Sequence, residues 1–137
     1  MSTKQQDAEE AEMVLEKPPI ADLLDALCYK RISKNVDAAV SWLMMASYGY
    51  YKCDMPILSD GMYDWLARFI VHNWDEIAHP HKRFMSHEEL RTTSSLELSD
   101  GYGADAYPNR VRSAYAALVK RELGQDAPIR YAWGEAK

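Results

Sequence analysis

Apolar positions recur at three- and four-residue spacing along most of this chain, and the stripes they form predict four substantial helices. Ile20, Leu23, Leu24, Leu27 and Cys28 make the first, which Pro18-Pro19 can start, proline being tolerated in the first turn, and which runs to near Arg31. Val36, Ala39, Val40, Leu43, Met44 and Ser47 make the second, capped from the Ser33-Lys34-Asn35 link and leading to Tyr50 on the same face. Tyr63, Leu66, Ile70, Trp74 and Ile77 make the third, with Trp65 and Phe69 lying off the stripe. A helix apolar on more than one side is buried on more than one side, so this third helix is expected to be central and to end at His79-Pro80-His81. Ser86-His87-Glu88-Glu89 reads as a capping box that opens a short helix to near Thr92. Asn109 is placed to cap the last helix, where Val111, Ala114, Tyr115, Leu118 and Val119 form the apolar side and Gly124 the stop. Residues 93–109 read as a long loop, and Pro128 to Trp133 as a β-prone, aromatic extended arm. The pattern predicts a mainly α-helical chain with one domain over residues 18–137. The acidic stretch 1–17 ahead of it reads as either a charged helical extension or a disordered tail.

The densest chemistry lies between the second and third helices, in YGYYKCDMPILSDGMYDWL from Tyr48 to Leu66. Asp54-Met55-Pro56 must turn or extend, because a residue before proline is pushed out of the helical region. Ser59 or Asp60 can cap the helix that follows. Asp60, Tyr63 and Asp64 stand at i, i+3 and i+4 and so share one helical face. Tyr50 and Tyr51 close the preceding helix and are expected to face the same patch. Aromatic faces beside carboxylates suit a flat, positively charged ring, through cation–π attraction and countercharge. The same residues equally suit an ordinary helical hairpin with satisfied tyrosine hydroxyls.

Tyr50-Tyr51, Asp54, Pro56, Leu58-Ser59-Asp60, Tyr63-Asp64 and Leu66 together resemble the motif of the N-terminal Ia domain of NAD-dependent DNA ligases. The resemblance covers roughly residues 36–81 and makes this a ligase Ia-like helix-turn-helix hairpin with extra N- and C-terminal helices. It implies that Tyr50, Tyr51, Asp60, Tyr63 and Asp64 hold the nicotinamide mononucleotide half of NAD, weakly, since the adenylation domain supplies the other half of the site. It also implies a partner, either a separately encoded ligase adenylation domain or another protein. The alternative it leaves is a non-catalytic, phage-like interaction module that reuses the Ia scaffold. The adenylating lysine of a K-x-D-G motif has no counterpart, since Lys52-Cys53-Asp54-Met55 lacks the glycine and lies inside the turn itself. A complete ligase is excluded.

Composition narrows the picture further. With 137 residues the chain has room for one domain with a real core. A formal net charge of -5 argues against general affinity for nucleic acid phosphates. Cys28 and Cys53 have no metal spacing and read as reduced thiols of a cytoplasmic protein, and no apolar run is long enough for a membrane span. His72, Asp75, Glu76, His79 and His81 crowd one helix end, yet polar histidines at such an end are far commoner than a zinc site, and no metal is expected.

Overall fold

The computed structural model describes residues 15–97 and 107–127, together with the backbone of two short strands. Among the described residues five α-helices run in order: α1 (Leu23–Lys34), α2 (Ala38–Tyr51), α3 (Asp60–His72), α4 (His87–Thr93) and α5 (Asn109–Leu123). Two 3₁₀ segments, Trp74–Glu76 and Pro80–Phe84, link α3 to α4. The strands β1 (Arg130–Tyr131) and β2 (Gly134–Glu135) pair antiparallel, so the mainly α-helical class expected from the stripes holds. Residues 1–14, most of the long loop after Glu97, and Pro128, Ile129, Ala132 and Trp133 of the expected arm lie outside the described residues.

The central helix is α2 rather than α3. It packs against α1, α3 and α5, and its buried residues include Ala39, Val40 and the whole run Trp42–Gly49. The physical reason is plain in its sequence, AAVSWLMMASYGYY, which carries no charge and can therefore be enclosed on all sides. By contrast α3 keeps Asp60, Asp64 and Arg68, which hold one face in water. It is also shorter than its stripe. Asn73 caps it, donating from both its backbone N–H (3.0 Å) and its side-chain Nδ2 (2.9 Å) to the Phe69 carbonyl. Lys82 then bonds the carbonyls of Trp74 (2.6 Å) and Ile77 (3.0 Å) and lies 4.5 Å from the Trp74 ring centre. Trp74 and Ile77 thus reach the core from a tight turn, not from helix.

Capping follows local chemistry in most places. Ser59 caps α3 by accepting from Met62 N, and Ser86 caps α4 by accepting from Glu89 N. Gly124 ends α5 with φ 66°, the left-handed conformation that glycine adopts without strain. The expected Asn109 cap is displaced by one residue: Pro108 stands at the cap and Asn109 is the first helical residue. At the first helix, Asp22 caps α1 by accepting from Asp25 N, so Pro18-Pro19 precede the helix instead of starting it.

Two contacts fix the hairpin that α2 and α3 form. Asp25 of α1 is fully buried, and its carboxylate accepts from Ala21 N (2.9 Å), Ser59 N (3.0 Å) and Ser59 Oγ (2.6 Å). It therefore ties α1 to the residue that caps α3. On the other side, Tyr115 of α5 lies against Gly49 and donates to the Met55 carbonyl at 2.7 Å. Tyr48 packs edge-on against both Tyr107 (5.5 Å) and Tyr115 (5.2 Å). Between these contacts the chain turns through Asp54, whose φ of 55° is left-handed, a conformation that aspartate tolerates better than most side chains.

Candidate functional site

Where α2 ends and α3 begins, Tyr50, Tyr51, Asp60 and Tyr63 line one cleft of about 210 Å³ with Ala46, Leu58, Ser94 and Ser95. Helix geometry explains the grouping. Tyr50 and Tyr51 are the last two residues of α2, while Asp60 opens α3 and Tyr63 stands one turn further along. The Tyr50 ring lies nearly parallel to Tyr63 at 6.2 Å and 25°, and edge-on to Tyr51 at 4.8 Å. Two stacking contacts of ~3.5 Å each would need about 7 Å between rings. A planar guest between Tyr50 and Tyr63 therefore requires a small outward shift of Tyr50, which is the exposed member of the pair.

Asp64, the fifth residue implied by the resemblance, does not line this cleft. Its carboxylate instead takes both Nε (3.2 Å) and Nη2 (3.0 Å) of Arg68, one turn along α3. Asp60 makes no hydrogen bond or ion pair among the described residues and is exposed at the cleft mouth. Among the described residues no cationic side chain lines the cleft. Its electrostatic character is thus set by one free carboxylate and three tyrosine rings.

A further wall of the cleft, Ser94 and Ser95, comes from the start of the loop expected over residues 93–109. Ser94 ends α4 in the left-handed conformation, φ 53°, and turns the chain back toward α3. Leu96 then buries its side chain, and its backbone meets the Tyr63 hydroxyl twice: Leu96 N–H donates to it at 2.9 Å, and it donates to the Leu96 carbonyl at 3.0 Å. Ser47 of α2 also donates to that carbonyl and contacts the Tyr107 hydroxyl. Ser95 Oγ lies 2.9 Å from the Tyr51 hydroxyl and 3.3 Å from that of Tyr63. Burial pushes the Tyr63 phenol above its ordinary value, so it stays protonated and able to donate. The serines carried no signal by type. The one clue was that polar residues follow a capped helix whose end must return to the core.

No family model, curated protein or solved structure matches this chain. The candidate site therefore rests on its own geometry.

Other chemistry-bearing groups are already committed. Among the described residues no group of three or more His, Cys, Asp or Glu side chains is placed to hold a metal ion. His79 Nδ1 accepts from His81 N–H at 3.0 Å and its Nε2 lies 3.1 Å from Ser41 Oγ, which fixes the ring as a cap for the second 3₁₀ segment. Burial, with the Asp25 carboxylate adding to it, pushes the Cys28 thiol far up, and Cys53 is buried too. Neither is an activated nucleophile. No helix among the described residues is long and apolar enough to cross a membrane.

Proposed function

We propose that this chain binds the nicotinamide mononucleotide moiety, in NAD or alone, in the cleft between the end of α2 and the start of α3. It acts there as a non-catalytic module beside a separately encoded NAD-dependent ligase core. The observation that carries this reading is the convergence of Tyr50, Tyr51, Tyr63 and Asp60 on one cleft. The rings offer π faces to a pyridinium and Asp60 offers countercharge. At about 210 Å³ the cleft is smaller than the ~300–1,000 Å³ of most small-molecule sites, so it suits the nicotinamide and part of its ribose and leaves the rest to a partner.

Calorimetric titration with the mononucleotide, NAD and NADH tests it. The oxidised ligands are expected to bind with millimolar affinity or better, and NADH more weakly because its ring is neutral. Asp60→Asn should weaken the mononucleotide by roughly tenfold, a charge-assisted contact at a half-open site. Asp64→Asn should cost about threefold or less, because Arg68 already neutralises that carboxylate. Equal losses for the two variants would contradict the assignment of the cleft. Incubation with NAD followed by intact-mass measurement should show no adenylate on the protein, since no K-x-D-G lysine is present.

A second reading, an interaction module that reuses the hairpin to bind a protein, is favoured by one observation. Leu23 is 70 % exposed and Leu123 41 % exposed along a groove of about 450 Å³ that shares Leu58 and Asp60 with the cleft. Complete absence of nucleotide binding, even with a ligase core added, would leave this reading in place.

A further inference from the structure

Tyr63 has one hydroxyl proton, and the Leu96 carbonyl takes it. A carbonyl can only accept, so the 3.0 Å contact is donated by Tyr63, while the Leu96 N–H fills one acceptor position on the same oxygen. Any bond between Ser95 and Tyr63 must therefore be donated by Ser95. With its proton used there, Ser95 Oγ accepts from Tyr51 across the 2.9 Å contact, for which either hydroxyl can be the donor. In that arrangement the order of donation is Tyr51 to Ser95 to Tyr63 to the Leu96 carbonyl. Each hydroxyl proton along this line is then taken by a neighbour, and the oxygens of Tyr51 and Ser95 keep lone pairs to offer. The neighbouring backbone donors are engaged as well: Ser94 N–H bonds the Leu90 carbonyl at 2.9 Å and Ser95 N–H bonds Thr93 Oγ1 at 3.2 Å. The hydroxyls of Tyr50 and Ser94 make no hydrogen bond among the described residues and can turn to suit either kind of ligand group. Asp60 supplies the one formal charge, and it is negative.

We propose that this cleft reads the carboxamide of a nicotinamide nucleotide and rejects the carboxylate of its nicotinic acid counterpart, with Ser95 as the positioning residue that sets the polarity. The inference rests on the nicotinamide reading of the cleft and deepens it. A carboxamide brings an NH₂ that can donate to Tyr51 and Ser95. A carboxylate brings only acceptors, faces the same lone pairs, and is repelled by Asp60, with no cationic side chain among the described residues of the lining to offset it. A buried polar group left without its partner costs more than the bond itself contributes, which is why such sites discriminate. Ser95 lies outside the ligase-like stretch, so this selectivity would be a property of the whole domain and not of the motif.

The test titrates nicotinamide mononucleotide and nicotinic acid mononucleotide against the full chain and against Ser95→Ala and Ser95→Thr. Wild type is expected to prefer the amide by about tenfold or more. Ser95→Ala frees the Tyr51 proton to turn toward the ligand and should narrow that preference at least ~threefold, while Ser95→Thr keeps the hydroxyl and the preference. A structural role alone would lower both affinities together and leave their ratio unchanged, so an unchanged ratio in folded Ser95→Ala overturns the assignment to Ser95. Equal binding of the two nucleotides by wild type overturns the selectivity while leaving the nicotinamide reading intact. Binding of neither removes both.

Discussion

Asp25→Ala is expected to lower the unfolding free energy by about 3–5 kcal/mol, the largest single effect in the domain. The side chain looks like an ordinary first-turn acid of α1, yet it is fully buried and takes three donors, two of them from Ser59. Alanine would leave Ala21 N–H and both Ser59 donors without their acceptor, at roughly 1–3 kcal/mol for each that finds no water; Ser59 is half-buried and Ala21 exposed, so Ser59 carries most of the cost. The loss also reaches the cleft, because Ser59 caps α3 and α3 carries Asp60 and Tyr63. Asparagine is a poor substitute here, since its NH₂ would face donors where an oxygen stands now. Urea unfolding with an unchanged m-value measures the cost, and a midpoint shift equivalent to less than ~1 kcal/mol would show that Asp25 does not hold the hairpin to α1.

Gly49→Ala comes next, at about 2–3 kcal/mol. A Cβ at this position would stand 2.6 Å from Tyr115 Cε1 and 2.7 Å from the Met55 carbonyl oxygen, both well inside contact distance. Neither neighbour can yield easily. Tyr115 is held by its bond to Met55 and by Tyr48, and the Met55 carbonyl belongs to the turn, whose N–H bonds back to Gly49 O at 2.8 Å. A double-mutant cycle with Tyr115→Leu separates the two obstacles. Removing the ring should recover part of the loss, and the remainder belongs to the backbone clash. A purely additive pair would mean that α5 does not press on Gly49.

What the sequence disclosed and what it concealed divide by distance along the chain. Ser59, Ser86 and Gly124 act on residues within one turn, so their roles at helix ends are visible in the local pattern. The ligase-like residues also act close by, and the turn that brings Tyr50 and Tyr51 to Asp60 and Tyr63 is readable from Pro56. Asp25 meets Ser59 from 34 residues away, and periodicity cannot announce a carboxylate's distant partners. Ser95 meets Tyr51 across 44 residues, by way of a loop with no helical repeat to place it. The misplaced centre of the fold has another cause. Stripe width made α3 look the more buried helix, whereas the absence of any charge on α2 was the better guide. Asp64 was drawn into the site by its motif, although Arg68 four residues later already offered it a partner.

Ser47 has a consequence for how this protein could be rebuilt. Its hydroxyl holds the Leu96 carbonyl on one side and the Tyr107 hydroxyl on the other, so the two ends of one loop are pinned at a single atom. Doubling such a loop costs only about 0.6 kcal/mol in closure entropy. A foreign domain with adjacent termini, spliced between Glu97 and Tyr107, would therefore be carried next to the cleft from ends that Ser47 already holds. A fluorescent domain at that point would make a sensor of the mononucleotide, with Ser95 two residues from the splice as its transducer.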